Sequence, residues 1–410
     1  MEPVSYTVPT GAVEGVCDPR FLPVAEAFAA NFREREEVGA SVSMTVGGET
    51  VVDLWGGKID DDRAWGRDTI ALVYSCTKGA TALCAHVLAS RGQLDVEAPV
   101  RDYWPEFARN GKEEATVRMM LDHSAGVPTF HEVLKPKAAH DWEYMCERLE
   151  AEEPFWKPGT RNGYHMINFG WTVGELVRRV SGKSLGTFFR EAIGEPLGLD
   201  FWIGLPEEHD GRVAPSIPYV REKGEPLSAF ELAVVEDRSS IPALALKNGG
   251  GWNPASREGR AAEIGGGGAF ANARSLAGMY APLACGGSLN GVKLVDETTL
   301  ARMAQVSTAT NEDATLMLPT RFALGFMKSM DNRRAPAGRT DSAILSGRAF
   351  GHVGAGGSIG FADPEVGMSF GYAMNRMGKG ILMNSRGQSL VDAAYRCLGY
   401  GSNDGGVWAR

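Results

Sequence analysis

One stretch, residues 71–89, restricts the fold of this chain more than any other. An apolar run ends at Ser75, Lys78 follows three positions later, and residues 79–89 are rich in alanine with apolar residues at helical spacing. The pattern predicts a turn into a largely buried helix that begins near Ser75. Because positions three apart share one face of a helix, the Lys78 side chain is predicted to project toward the Ser75 hydroxyl.

A lysine beside a serine hydroxyl is an arrangement that can perform nucleophilic catalysis. Serine is a poor nucleophile until a base takes its proton. A desolvated lysine can be that base as a neutral amine, whereas a charged lysine stabilises an anionic base nearby. Taken alone the motif is weak, because short motifs match freely and a serine before a helix is usually an N-cap. The assignment therefore depends on the rest of the chain.

Charge and composition exclude several classes of partner. The 410 residues carry a net charge of −9, and 43% are hydrophobic and 23% charged, which is typical of a globular protein without a nucleic-acid partner. No apolar run reaches the roughly 18 residues of a membrane span, and the first residues lack the pattern of a secretory signal. The six scattered cysteines predict reduced thiols, and the seven histidines form no zinc-binding motif. We therefore expect a cytoplasmic enzyme with no metal, no cofactor, no nucleic acid and no membrane partner.

The order of helix and strand signals predicts an α+β fold. A helical pattern precedes two alternating segments joined by a Gly-Gly turn, helical patterns fill the middle, and strand signals return before a last helix. We predict an antiparallel sheet flanked by helices, formed by residues 1–82 and 322–410, with residues 83–321 as an inserted, mainly helical lobe. In that lobe, residues 206–259 are predicted to be loop-rich and to border a substrate pocket. The predicted strands are residues 40–46, 50–55, 322–327, 349–362 and 367–375, and the predicted helices of the two ends are residues 21–35 and 389–398.

Three motifs in a fixed order carry a resemblance to a known family. They are Ser-Cys-Thr-Lys at residues 75–78, Gly-Tyr-His at 163–165 and His-Val-Gly at 352–354, with a Leu-Asp-His-Ser-Ala-Gly turn at 121–126. Ser-x-x-Lys is a signature of β-lactamases and penicillin-binding proteins. Together the motifs resemble that serine β-lactamase superfamily, and most closely the class C branch that includes the family VIII carboxylesterases. The resemblance implies a β-lactamase/DD-peptidase-like fold over nearly the whole chain.

The resemblance also implies roles for individual residues. Ser75 would be the nucleophile, and Lys78 and Tyr164 would form the general acid/base pair, with Tyr164 as a phenolate or near-phenolate beside a Lys78 ammonium. Which of the two is the formal base stays open, because their titrations would be coupled. The backbone amides of Ser75 and Ala355 would form the oxyanion hole. The residues that would border the substrate are His352, Gly354 and Gly356.

Two departures from the family pattern bear on the substrate. Class C β-lactamases carry Tyr-x-Asn, but Met166 stands two residues after Tyr164. Their Lys-Thr-Gly motif reads His352-Val-Gly here. The lysine would attract the carboxylate of a β-lactam, whereas a histidine is mostly neutral at pH 7. Both departures favour a neutral, small-molecule ester, which we expect to have a short acyl chain.

Several alternatives stay open at this stage. A β-lactamase or D-Ala-D-Ala-type peptidase, an acyltransferase and a penicillin-recognising scaffold without catalysis would share the same fold. Gly-Gly-Ser-Ile-Gly at residues 356–360 matches the nucleophile elbow of α/β-hydrolases, but no histidine follows Ser358, so we expect no triad there. His123 is predicted to hold its turn together rather than to act as a base. The sequence predicts no oligomeric state.

Overall fold

The protein contains fifteen β-strands and twelve α-helices, and a computed structural model describes all of residues 1–410. The strands are β1 (Glu2–Val8), β2 (Gly11–Cys17), β3 (Gly39–Val46), β4 (Glu49–Gly57), β5 (Ile70–Leu72), β6 (Phe201–Trp202), β7 (Val213–Ala214), β8 (Phe270–Ala271), β9 (Ser288–Leu289), β10 (Val292–Lys293), β11 (Thr308–Thr310), β12 (Thr320–Phe322), β13 (Phe350–Val353), β14 (Ile359–Asp363) and β15 (Met368–Met374). The helices are α1 (Leu22–Glu34), α2 (Cys76–Ser90), α3 (Val117–Leu121), α4 (Trp142–Ala151), α5 (Phe169–Ser181), α6 (Leu185–Phe189), α7 (Ala229–Glu236), α8 (Ile241–Lys247), α9 (Arg257–Ala261), α10 (Ala273–Ala284), α11 (Glu297–Ala304) and α12 (Ser385–Cys397).

A seven-stranded antiparallel sheet joins the two ends of the chain. Its strand order is β1-β2-β4-β3-β15-β14-β13. The N-terminal and C-terminal strands meet where β3 pairs with β15, in a register that places Ala40 opposite Met374 and Val46 opposite Met368. The prediction of an α+β fold with an antiparallel sheet is therefore confirmed.

Helices cover both faces of this sheet. Successive side chains of a strand point to opposite faces. Phe370 and Tyr372 of β15 belong to the core that contains α1 and α12, whereas Gly371 between them lies directly against Leu276 of α10. Helices α1 and α12 therefore pack on one face and α10 on the other. No helix of the protein is both long and apolar enough to cross a bilayer.

Helix α2 is buried on every side. All of its residues from Cys76 to Leu88 are buried, including the polar side chains of Thr77, Lys78, Thr81 and His86. It packs against the sheet-edge strand β13 and against α5, α6 and α11. The helix that begins just after Ser75 is thus held between the sheet and the helical part of the chain.

The structure differs from the sequence predictions in four places. Residues 349–362, predicted as one strand, form the antiparallel strands β13 and β14, because the chain turns between them at Gly356 and Gly357, which both have positive φ. The strand predicted at residues 322–327 ends at Phe322, because the chain bends at Gly325 and the Ala323 amide donates to the Phe326 carbonyl. Residues 206–259 contain the short helices α7, α8 and α9, and the hairpin of β1 and β2 was not predicted. The predicted domain boundaries at residues 82 and 322 stay a prediction. Helix α10 lies within the predicted insertion but packs on the sheet.

The buried His86 side chain makes the free energy of unfolding depend on pH. It is 1% exposed in α2, and its Nε2 donates to the Leu324 carbonyl at 2.8 Å. Burial lowers its pKa to about 4, against an ordinary value near 6.5. Below pH 6.5 the unfolded chain therefore binds a proton that the folded protein does not, so the contribution of His86 to stability falls until the pH reaches about 4.

We predict that His86→Gln flattens the pH dependence of unfolding. When the pH is lowered from 7 to 5, this histidine should lower the free energy of unfolding by about 2 kcal/mol. Urea unfolding at both pH values measures the difference, and His140→Gln, at a position that reaches solvent, is the control. An unchanged slope in His86→Gln would show that His86 protonates equally in both states.

Candidate active site

Ser75 lies in a tight turn between β5 and α2. The residue before it, Tyr74, has φ of 44°, a left-handed conformation that is strained for a residue with a side chain. The Thr77 hydroxyl fixes this turn, because it donates to the Tyr74 carbonyl at 2.6 Å and accepts from the Ala269 amide at 2.9 Å. Ser75 is the N-cap residue of α2, but its side chain makes no capping hydrogen bond. Its hydroxyl therefore accepts no hydrogen bond from the backbone amides of the first turn of α2.

Lys78 is completely buried and points at Ser75. Its Nζ lies 3.3 Å from Ser75 Oγ and donates to the backbone carbonyls of Met166 and Gly266, each at 2.5 Å. The predicted approach of Lys78 to Ser75 is present in the structure. Burial lowers the pKa of Lys78 well below the ordinary value of a lysine.

Tyr164 completes the cluster from a different part of the chain. The Lys78 Nζ lies 4.5 Å from the centre of its ring, and the ring is 4% exposed. Burial raises the pKa of Tyr164, and the neighbouring Ser75 side chain lowers it in smaller part. By distance and angle the Tyr164 hydroxyl makes no hydrogen bond within the protein, although the Ser75 side chain lies close enough to lower its pKa, so it is available to a substrate or a proton.

The backbone of Tyr164 is held by Asp313, which the sequence did not indicate. The buried Asp313 carboxylate accepts from the Tyr164 amide at 2.9 Å and from the amides of Thr315 and Leu316, each at 2.9 Å. No motif surrounds Asp313, so only the fold shows its role. The Gly266 carbonyl that accepts from Lys78 belongs to a run of four glycines at residues 265–268, and the sequence gives no sign of this contact because every residue has a backbone carbonyl.

Three neutral histidines surround the tyrosine. His123 packs 4.9 Å from the Tyr164 ring and His352 6.0 Å from it, while His165 stacks on His123 at 5.5 Å between ring centres. Burial is the main cause that lowers the pKa of His165 and of His352 to about 3, and it also lowers that of His123. His123 has φ of 67°, and its Nδ1 accepts from the His165 amide at 3.2 Å. These contacts fit the structural role predicted for His123.

The loop between β13 and β14 brings Ala355 to the Ser75 turn. At Gly354 a Cβ atom would lie 2.3 Å from the Val73 carbonyl oxygen, so only glycine allows this approach. The backbone amides of Ser75 and Ala355 donate to no group of the protein. Both predicted oxyanion donors are thus free.

The predicted substrate-bordering residues are more enclosed than the sequence suggested. His352 is 1% exposed, and Gly354 and Gly356 are buried, the latter against Met377. Ser358 is followed by strand β14 rather than by a helix, and its hydroxyl is buried without a partner. The nucleophile-elbow geometry of an α/β-hydrolase is therefore absent.

Comparisons with known proteins agree with this arrangement. The beta-lactamase family profile matches residues 26–394. The Esterase/beta-lactamase LipL of Mycobacterium tuberculosis is 36% identical over 381 residues, which cover 89% of this chain and 83% of that protein. The crystal structure of a family VIII carboxylesterase shares 38% identity and a TM-score of 0.81, and covers 94% of this chain and 99% of its own. A penicillin-binding-protein homologue from Caulobacter crescentus shares 35% identity and a TM-score of 0.82, with the same coverage.

Fold and site together define the class of protein as an enzyme of the β-lactamase and penicillin-binding-protein fold. The chain belongs to the beta-lactamase family. The resemblance to family VIII carboxylesterases that the motifs indicated is confirmed.

We predict that Asp313→Ala destabilises the protein by about 3 to 5 kcal/mol. The substitution leaves three buried amides without an acceptor, and each costs about 1 to 3 kcal/mol. Asp61→Ala is the matched control, because the Asp61 carboxylate is exposed and pairs only with Lys58. Denaturant unfolding measures both variants, and equal stability of the two would contradict the role given to Asp313.

Proposed function

We propose that this enzyme hydrolyses carboxylic esters of short acyl chain through an acyl-enzyme on Ser75, with Lys78 and Tyr164 as the general acid/base pair. The hydrogen bonding of Lys78 carries the proposal. A neutral amine has two N–H bonds, and the carbonyls of Met166 and Gly266 accept two hydrogen bonds from Nζ. The remaining direction, toward Ser75 Oγ, is then left to the lone pair. Lys78 can therefore accept the Ser75 proton.

The charge states of both groups support this division of roles. Burial lowers the pKa of Lys78 and raises that of Tyr164. Both shifts favour a neutral amine beside a neutral phenol over an ammonium beside a phenolate. Between the two bases that the sequence left open, this favours Lys78, with Tyr164 as the acid.

Acylation then follows in balanced steps. The Ser75 proton passes to Lys78 Nζ as Ser75 Oγ bonds to the ester carbonyl carbon, and the oxyanion accepts hydrogen bonds from the amides of Ser75 and Ala355. The bond to the alcohol breaks, and Tyr164 gives its proton to the leaving oxygen. The Lys78 ammonium returns a proton to Tyr164. Water repeats the sequence in reverse and releases the acid.

The electrostatics around the site favour an uncharged substrate. His352 stands where the related β-lactamases have lysine, and its Nδ1 donates to the Val353 carbonyl at 2.7 Å. Its Nε2 is therefore the unprotonated nitrogen, a hydrogen-bond acceptor that cannot bind a carboxylate. Efficient binding of a β-lactam or of a peptide C-terminus is thus disfavoured. The burial of Lys78 and Tyr164 supports a small acyl group.

The cellular location and the absence of a cofactor remain predictions. The six cysteines are free thiols, which fits the predicted cytoplasmic location. The substrate is expected to be a small ester that binds without a cofactor.

We predict that Ser75→Ala lowers kcat/KM for p-nitrophenyl butyrate by at least about 1,000-fold, because it removes the nucleophile. Ser358→Ala, which removes another buried serine hydroxyl close to the site, should stay within a few-fold of wild type. Both variants and the wild type are assayed in parallel on nitrocefin, which should turn over very slowly.

Each contrary result has a definite meaning. Loss of esterase activity in Ser358→Ala, with activity kept in Ser75→Ala, would contradict the nucleophile. Rapid Ser75-dependent turnover of nitrocefin would keep the nucleophile and make the enzyme a β-lactamase.

A further inference from the structure

The loop that carries the Ala355 amide is tied to a side chain far along the chain. Asn384 Nδ2 donates to the Gly356 carbonyl at 2.7 Å, and the Gly378 amide donates to the same oxygen at 2.9 Å. The Gly357 amide, which shares a peptide group with that carbonyl, donates to the Gly354 carbonyl at 3.0 Å. The Gly354 carbonyl in turn shares its planar peptide group with the Ala355 amide. Two peptide groups therefore lie in series between Asn384 and the free amide.

The orientation of the Asn384 amide is determined by its contacts. Its Oδ1 accepts from the Arg386 and Gly387 amides at 3.1 and 3.2 Å and so caps the first turn of α12. Only Nδ2 can then face the Gly356 carbonyl. The side chain thus joins the beginning of α12 to the loop with one defined donor.

Both sides of this contact are rigid. A Cβ atom at Gly356 would lie 2.8 Å from Met377, and one at Gly357 would lie 2.3 Å from Asn384 Nδ2, so the loop packs directly on the segment before α12. Beside Asn384, Arg386 makes a buried ion pair with Glu37 at 3.0 Å. Asn384 therefore presents its donor from a fixed position.

We propose that Asn384 is a positioning residue that orients the Ala355 amide toward the oxyanion through these two peptide groups. This inference rests on the proposed function. Oxyanion stabilisation depends on the direction of its donors. A misdirected amide therefore weakens the stabilisation of the transition state more than it weakens substrate binding. Hydrogen bonds in series also polarise one another, so the Nδ2 donor strengthens the Ala355 amide as a donor.

The discriminating substitution is Asn384→Asp. Aspartate caps a helix as well as asparagine does, but it has no N–H and places a carboxylate oxygen against the Gly356 carbonyl. Loss of one complete oxyanion donor costs about 100- to 1,000-fold in kcat. For a donor that is misdirected rather than removed, we expect kcat on p-nitrophenyl butyrate to fall about 10- to 100-fold, with KM within a few-fold of wild type.

A second readout reports on the oxyanion hole itself. The sulfur of a thionoester accepts weak hydrogen bonds, so it gains little from oxyanion donors. The ratio of kcat/KM for p-nitrophenyl butyrate to that for its thionoester should therefore fall about 10-fold or more in Asn384→Asp. A role confined to folding would lower both rates together and leave the ratio unchanged.

Gln388→Ala is the matched control. Gln388 lies one turn further along α12, and its amide bonds to the Ile344 backbone and to Asp392 instead of to the loop. This variant should lose stability and keep both kcat and the substrate ratio. Equal kcat and an equal ratio in wild type and Asn384→Asp would overturn the positioning role. An inactive wild type, or activity that survives Ser75→Ala, would overturn the proposed function instead.

Discussion

The site depends on burying one amine where three distant segments meet. Lys78 Nζ contacts the first turn of α2, the Met166 carbonyl after the tyrosine motif and the Gly266 carbonyl of the glycine run. A buried ammonium is costly, so burial lowers the pKa of this amine and favours its neutral form. In the proposed mechanism, the contacts that hold the three segments together therefore also favour the unprotonated amine that acts as the base. The contacts of Lys78 Nζ would thus serve both stability and reactivity.

Three of the side chains that surround the site are neutral histidines. His123, His165 and His352 are buried, and their lowered pKa values keep them neutral at pH 7. A neutral shell makes the oxyanion donors more effective, because electrostatic interactions are stronger where water is excluded. The same shell offers no cation to a carboxylate substrate. The proposed selectivity for neutral esters would follow from this neutral shell.

Much of the fold could be predicted because its elements have regular patterns. The apolar spacing of α1 and the alternation of β3, β4 and β15 identify those elements from local sequence. Helices α7 to α9 have only five to eight residues, which is too few for a clear helical period, so their sequence pattern predicts a loop. Strands β1 and β2 expose much of their surface, so their pairing depends on β4 more than on their own pattern.

In the site, too, some residues could be predicted from the sequence and others could not. Ser75, Lys78 and Tyr164 stand in motifs whose spacing is visible in the sequence. The groups that hold them are backbone carbonyls and the side chains of Asp313 and Asn384, which stand in no motif. Only tertiary contact defines such partners. Every residue has a backbone carbonyl, and carboxylate and amide side chains occur at many positions, so the sequence does not single these out. The sequence therefore indicates the proposed reacting groups but not the groups that orient them.

The measurement that tests the central claim most directly is the titration of the Lys78 amine. Carbon-13 NMR of protein labelled at lysine Cε follows each amine with pH, and the signal missing from Lys78→Arg identifies this residue. The account predicts that Lys78 is neutral at the pH of full activity and titrates well below the ordinary lysine value of about 10.4. A Lys78 signal that stays in the ammonium form to pH 10 while the enzyme is active would contradict it.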